Sequence, residues 1–135
     1  MQDSTAAPDP VSRLRKRLHS AYDELGRLLP TFLARDAVFP GYVTERSVRC
    51  GKPSCHCADG ARHPTWTVIF KEGGKTRSRA LYLADRERAK KLADAYRRVR
   101  AAHRQWRKLV REIDGIIDSI TDSRAVPYAP RKEQE

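Results

Sequence analysis

Apolar residues recur every three or four positions near the N-terminus, which is the spacing of an amphipathic helix. They are Val11, Leu14, Leu18, Ala21, Leu25 and Leu28. Asp9 can cap this helix, Pro10 suits its first position, and Pro30 interrupts the pattern. The sequence therefore predicts a first helix over residues 10–29.

A longer apolar stripe with the same spacing occupies the C-terminal half of the chain. Its members are Ala89, Leu92, Tyr96, Val99, His103, Trp106, Val110, Ile113, Ile117 and Ile120. This heptad repeat predicts a coiled-coil-like helix over residues 86–121. At 1.5 Å per residue the helix is about 55 Å long, which is more than a small core covers. We expect this seam to pack on the first helix, on a second copy of itself or on a larger protein partner.

The segment between the two helices has the composition of β-strands. Residues 42–49 predict one strand, and residues 65–83 predict a hairpin around Gly73-Gly74. A two-residue turn would place Arg77 and Arg79 beside the apolar residues of the preceding strand. A three-residue loop with a glycine bulge would instead group Trp66, Val68, Phe70, Ala80 and Tyr82 on one face and Lys71, Arg77 and Arg79 on the other. Because it separates core from charge, we predict the second register.

These elements together predict an α+β protein with an N-terminal helix, a small antiparallel sheet of about three strands and a long C-terminal helix. The 135 residues suffice for one domain, which we place at 10–122, with a disordered lead at 1–9 and a disordered tail at 123–135. The N-terminus lacks the features of a signal peptide, and no apolar run reaches the ~18 residues that a spanning helix needs, so we expect a cytoplasmic location and no membrane partner.

The balance of charge points to a polyanionic partner. The formal net charge is +11, from 28 basic and 17 acidic residues, which favours nucleic acid over an acidic small molecule. We predict DNA rather than RNA, with Arg77 and Arg79 as candidates for reading guanine. The predicted nucleic-acid-binding residues are Lys71, Lys75, Arg77, Arg79, Arg86, Arg88, Lys90, Lys91, Arg97, Arg98, Arg104, Arg107 and Lys108.

All three cysteines lie within eight residues, in the run Cys50-Gly-Lys-Pro-Ser-Cys55-His-Cys57, and His63 follows. Three thiolates and one imidazole make a complete tetrahedral zinc shell, so the loop 50–63 predicts a structural Zn²⁺ held by Cys50, Cys55, Cys57 and His63. His56 is the competing fourth ligand, although its two cysteine neighbours crowd it. Free thiols and a disulfide are the alternatives, but a disulfide leaves one cysteine unpaired and suits a secreted protein.

The sequence predicts no catalytic residues. A hydrolase needs a base with an open metal position or paired carboxylates, and the acids of this chain are scattered among cations on the predicted helices. Thiol redox chemistry at Cys55 and Cys57 is the remaining enzymatic alternative, but no βαβ pattern accompanies these residues.

The cysteine loop, the step His63-Pro64 to Trp66, and the hairpin Gly73-Gly-Lys-Thr-Arg-Ser-Arg79 resemble a family of small bacterial and archaeal proteins of unknown function. The resemblance spans residues 45–115 and implies the same loop, hairpin and long charged helix, but no activity. The order of an aromatic first strand, a glycine turn, a basic second strand and a helix is also similar to the arm-type DNA-binding domains of phage integrases. In those domains a short antiparallel sheet enters the major groove.

Overall fold

The computed structural model describes residues 9–48, 52–54 and 63–128. Its elements are α1 (Pro10–Leu33), β1 (Gly41–Val48), β2 (His63–Glu72), β3 (Lys75–Ala80), a 3-10 turn (Leu83–Asp85) and α2 (Arg86–Arg124). The predicted α+β class, with one helix before and one long helix after a three-stranded antiparallel sheet, is confirmed. Most of the predicted zinc loop and the outer parts of the predicted lead and tail lie outside the described residues.

The chain divides into two compact units. The helical unit contains residues up to Phe32 and from Ala102 onward, and the sheet unit is Leu33–Ala101. The N-terminal half of α2 therefore belongs to the sheet unit and its C-terminal half to the helical unit. The two units are defined by contacts within the chain, and they do not test whether residues 10–122 fold as one domain. That boundary stays a prediction.

Helix α1 continues through Pro30 to Leu33, so the predicted end at Leu29 was wrong. A proline inside a helix lacks the N–H that would bond the carbonyl four residues earlier, and its ring crowds that carbonyl. Here the residue four positions earlier is Gly26, which has the most permissive backbone of any residue. At the other end the Asp9 carbonyl accepts the Arg13 N–H at 3.1 Å, which begins the helix as predicted.

In the helical unit α1 and the C-terminal half of α2 run antiparallel. The Phe32 ring meets Trp106 edge-on at 5.5 Å, and an Arg17–Glu112 ion pair of 3.5 Å joins positions nearer the other end. The most buried residues of this half of α2 are Ala102, Leu109 and Ile116, seven positions apart. They directly precede His103, Val110 and Ile117 of the predicted seam. The predicted seam residues therefore flank the buried row, and most of them are half-buried.

The sheet has the order β1-β2-β3, and both pairs are antiparallel. In the hairpin Glu72 pairs with Lys75, so Gly73 and Gly74 alone form the turn. Their φ angles are +58° and +79°, and positive φ at both central residues is what a type I′ turn requires. Glycine adopts this conformation without steric cost, which explains the Gly-Gly pair.

This two-residue turn overturns the predicted register. Arg77 pairs with Phe70 and Arg79 with Val68, so these arginines share a sheet face with the apolar residues of β2. The predicted register requires charge and core to occupy opposite faces of the sheet. A long arginine side chain on an edge strand avoids that conflict, because its stem lies along apolar surface while its guanidinium reaches water.

Phe39 links this face of the sheet to α2 in the sheet unit. Its ring is 5.8 Å from the Phe70 ring, and its backbone N–H donates to the Leu92 carbonyl at 3.1 Å. Gly41 leaves room for the Phe39 ring, because a Cβ there would collide with it. Ala93 and Ala95 of α2 are almost fully buried, and their small side chains allow neighbouring segments to pack close to the helix backbone. We call the face that carries Trp66, Val68 and Phe70 the helix-side face.

Within the described residues, no helix combines the length and the apolar composition that crossing a membrane requires.

The turn makes a testable prediction. Gly74→Ala forces an L side chain to φ near +79° and should lower the free energy of unfolding by about 1–2 kcal/mol. Gly73→Asn is the matched control, because asparagine tolerates the left-handed conformation and Asn-Gly is the preferred type I′ pair. Urea unfolding followed by circular dichroism measures both. Equal stability of Gly74→Ala and the wild type would contradict the two-residue turn.

Candidate functional site

Three cations project from one face of β3. Lys75, Arg77 and Arg79 alternate with Thr76 and Ser78, and side chains two positions apart in a strand share a face. All six residues of β3 are exposed, and β3 is an edge strand. The helix-side face thus carries a row of positive charge along its open edge.

The first turns of α2 bring further cations to the same face. The Arg86 guanidinium lies 4.3 Å from the centre of the Trp66 ring, and the Lys90 ammonium lies 5.8 Å from it. Arg79 lies 6.0 Å from the centre of the Phe70 ring. Such distances allow cation–π attraction. We define Lys75, Arg77, Arg79, Arg86 and Lys90 as the basic edge.

Arg86 is the cation that is most firmly held in this cluster. It is half-buried, whereas the other members of the basic edge are exposed. Its Nε atom is inaccessible to solvent and, within the described part of the chain, has no hydrogen-bond partner. The indole ring is therefore the main contact seen for this guanidinium. Trp66, itself half-buried, thus serves as a platform for charge.

The remaining predicted nucleic-acid-binding residues fall into three groups. Lys71 pairs with Thr76 and lies on the opposite face of the hairpin from the basic edge. Arg88, Lys91, Arg97 and Arg98 are exposed on the part of α2 in the sheet unit, and Arg97 is 3.8 Å from Asp94. Arg104, Arg107 and Lys108 are exposed in the helical unit. The predicted set is thus distributed over several surfaces.

Of the predicted metal ligands, only His63 lies among the described residues. It is the first residue of β2, is half-buried and pairs with Val48, the last residue of β1. Cys50, Cys55 and Cys57, and the competing His56, lie outside the described residues. No group of three or more His, Cys, Asp and Glu side chains suited to a metal occurs among the residues that are described.

Sequence reasoning missed an exposed apolar pair that begins two residues beyond the basic strand. Tyr82 is 81% exposed and Leu83 is 75% exposed. The predicted register had placed Tyr82 with the core residues. The Gly-Gly pair was the signal that could have corrected the position of Tyr82. A two-residue turn changes the register by one residue, which moves each following side chain to the other face of the sheet.

The arrangement has the chemistry of an anion-binding surface. Exposed guanidinium and ammonium groups offer several N–H donors to phosphate or carboxylate oxygens, and the aromatic rings beneath them hold some of these groups in place. A polyanion with repeated charges would meet several of these groups at once.

A family model described as "Domain of unknown function (DUF6788)" matches residues 10–91. The matched range includes α1, the whole sheet and the first turns of α2, and therefore all of the basic edge. No curated protein and no solved structure matches the chain significantly. The expected resemblance to a family of unknown function is confirmed at this level, and its individual motifs stay predictions.

The contact between Arg86 and Trp66 makes a second testable prediction. Arg86→Ala removes the cation and the stem that cover the indole, so the free energy of unfolding should fall by about 1 kcal/mol. Arg88→Ala removes the same charge from an exposed position and should change it by less than about 0.5 kcal/mol. Urea unfolding measures both variants, and equal effects would show that the indole contact contributes nothing.

Proposed function

The chain belongs to this family of domains of unknown function, and from the chemistry of its own residues we propose that it is a non-enzymatic, zinc-stabilised nucleic-acid-binding protein of the cytoplasm. The basic edge is the observation that carries the proposal. Its cations come from β3 and from the first turns of α2, they lie on the helix-side face of the sheet, and four of the five are exposed, which supports contact with a phosphate backbone.

Phosphate contacts are the main source of affinity in this proposal. Each phosphate that a cation neutralises releases counterions, so binding weakens steeply as salt rises. The net charge of +11 and the exposure of Lys75, Arg77 and Arg79 support this mode. Further cations on α2, such as Arg97, Arg104 and Lys108, would add to the general attraction.

We propose DNA as the preferred nucleic acid, with RNA as the alternative. Arg77 and Arg79 stand on an exposed edge strand, and a guanidinium can bond both acceptors of a guanine edge. However, the corrected register places them beside Val68 and Phe70 instead of on the opposite face. We therefore propose that phosphate contacts contribute most of the affinity and that base contacts contribute less.

A zinc ion would hold the segment between β1 and β2. Pairing of Val48 with His63 brings the two ends of this segment side by side, and Cys50 follows Val48 by only two residues. His63 therefore lies beside the residue after which the cysteine-bearing segment begins, which fits a set of Cys50, Cys55, Cys57 and His63. The metal would stabilise a sheet of only three strands, with no role in catalysis.

A helical dimer is the second candidate function, and one observation favours it. An apolar groove of about 400 Å³ in the helical unit is lined by Leu18, His19, Tyr22, Ile113 and Ile117. Tyr22 and Ile117 remain substantially exposed there although α1 already packs on α2. A second copy of the helical unit would cover these side chains.

The basic edge predicts the salt dependence of binding. We expect Arg77→Gln with Arg79→Gln to weaken duplex DNA binding and to reduce the slope of log affinity against log salt by about 2, one for each lost phosphate contact. Arg46→Gln with Lys71→Gln removes the same charge from the opposite face of the sheet and is the matched control. Fluorescence anisotropy across a salt series measures all three proteins.

Equal slopes for the two double variants would contradict the role of the basic edge. If neither DNA nor RNA bound at low salt, and light scattering showed a dimer, the nucleic-acid proposal would fail in favour of the dimer.

The zinc proposal predicts one equivalent of metal per chain. Elemental analysis of protein purified without chelator should find it, and Cys55→Ser should lose it and unfold at lower temperature, because a structural zinc contributes folding free energy. Comparison of His63→Asn with His56→Asn identifies the fourth ligand. Wild-type protein free of metal, with three thiols that react with a thiol reagent, would rule the site out.

A further inference from the structure

The corner between β3 and α2 exposes apolar side chains in a strongly basic region. Tyr82 is 81% exposed and Leu83 is 75% exposed. Eight basic residues and three acidic residues lie between positions 71 and 91. Folding alone gives no reason to hold a phenol ring and an isobutyl group in water side by side.

The backbone at this corner is fixed on both sides of Tyr82. The Leu81 N–H donates to the Trp66 carbonyl at 2.8 Å, which continues the β2–β3 ladder by one residue. The Tyr82 carbonyl accepts the Asp85 N–H at 3.0 Å at the start of the 3-10 turn. The ring therefore projects from an ordered backbone, and less conformational entropy is lost when a ligand covers it.

The charges around this corner lie along an edge instead of across an open face. Arg77 and Arg79 share the helix-side face with Trp66, which Arg86 and Lys90 already cover. On the opposite face, which carries the buried Ile69, β3 contributes only Thr76, Ser78 and Ala80. A row of cations on an edge strand, with an exposed aromatic ring two residues beyond that strand, suits a single strand of nucleic acid, whose backbone follows the charge and whose bases are free to stack.

We propose that Tyr82, with Leu83 beside it, stacks on an unpaired base of single-stranded nucleic acid whose phosphates lie along the basic edge. The inference rests on the proposed function and specifies its substrate as single-stranded. Stacking on a phenol ring is tolerant of sequence, because every base has a flat aromatic face. The charged residues near Tyr82 supply the attraction to phosphate and include Arg79, Arg86 and Arg88, with Asp85 and Glu87 as the neighbouring acids.

The test compares a short oligodeoxythymidylate with a blunt duplex of the same length, using the full chain and anisotropy at low salt. Tyr82→Ala should bind the single strand about 5- to 100-fold more weakly, whereas Tyr82→Phe keeps the ring and retains the affinity. Tyr128→Ala is the matched control, since Tyr128 is 89% exposed beyond the end of α2. The salt slope of Tyr82→Ala should equal that of the wild type, because no phosphate contact is lost.

A second readout locates the contact directly. Irradiation of a complex with bromouracil-substituted oligonucleotide should join the base to Tyr82, and peptide mapping would identify the site. Circular dichroism verifies that each variant is folded.

Several outcomes would overturn the inference. If Tyr82→Ala bound the single strand as tightly as the wild type while binding stayed salt-dependent, the stacking role would be lost and the proposed function would survive. Tyr82-dependent binding to anionic phospholipid vesicles, with none to oligonucleotides, would reassign the corner to a membrane surface. Absence of binding to both oligonucleotides at low salt would remove the proposed function and the inference together.

Discussion

The two-residue turn at Gly73-Gly74 determines what the sheet unit presents to a partner. Both residues have positive φ, and the register that follows places Arg77 opposite Phe70 and Arg79 opposite Val68. A shift by a single residue would move every side chain of β3 to the other face. Backbone conformation at two glycines thereby decides whether the arginines stand apart from the aromatic residues or beside them.

Arginine and aromatic residues on one face form a surface that carries positive charge and also contributes to the packing of the sheet unit. The Arg86 guanidinium lies over Trp66, and the Arg79 guanidinium lies near Phe70. The rings gain cover from the apolar stems of these side chains, and the cations gain a fixed position. A small sheet with little apolar area available thus uses long cationic side chains as part of its packing.

The helices and the existence of the hairpin could be predicted, because helical periodicity and a Gly-Gly turn are local signals. The register was predicted wrongly, since it was chosen by separating charge from core, and this choice neglects the reach of an arginine stem. The end of α1 was also predicted wrongly, because Pro30 was treated as a helix stop. The prediction did not consider that the residue whose carbonyl it crowds, Gly26, has a permissive backbone. In the C-terminal half of α2, apolar spacing drew attention to Val110 and Ile117, whereas the buried row begins with Ala102, whose small side chain carries a weak signal.

The grouping of cations has an energetic consequence of its own. Lys75, Arg77, Arg79, Arg86 and Lys90 carry the same charge on one face, and mutual repulsion opposes their proximity in the free protein. Attraction to the π-faces of Trp66 and Phe70 offsets part of this cost for the cations that contact them. Lys75 and Arg77 have no such ring contact among the described residues and lie toward the turn end of β3. Because Glu72 pairs with Lys75 and supplies one negative charge at that end, Arg77 is the cation for which a polyanion would relieve the most repulsion, whereas the cations at the rings are already held in position.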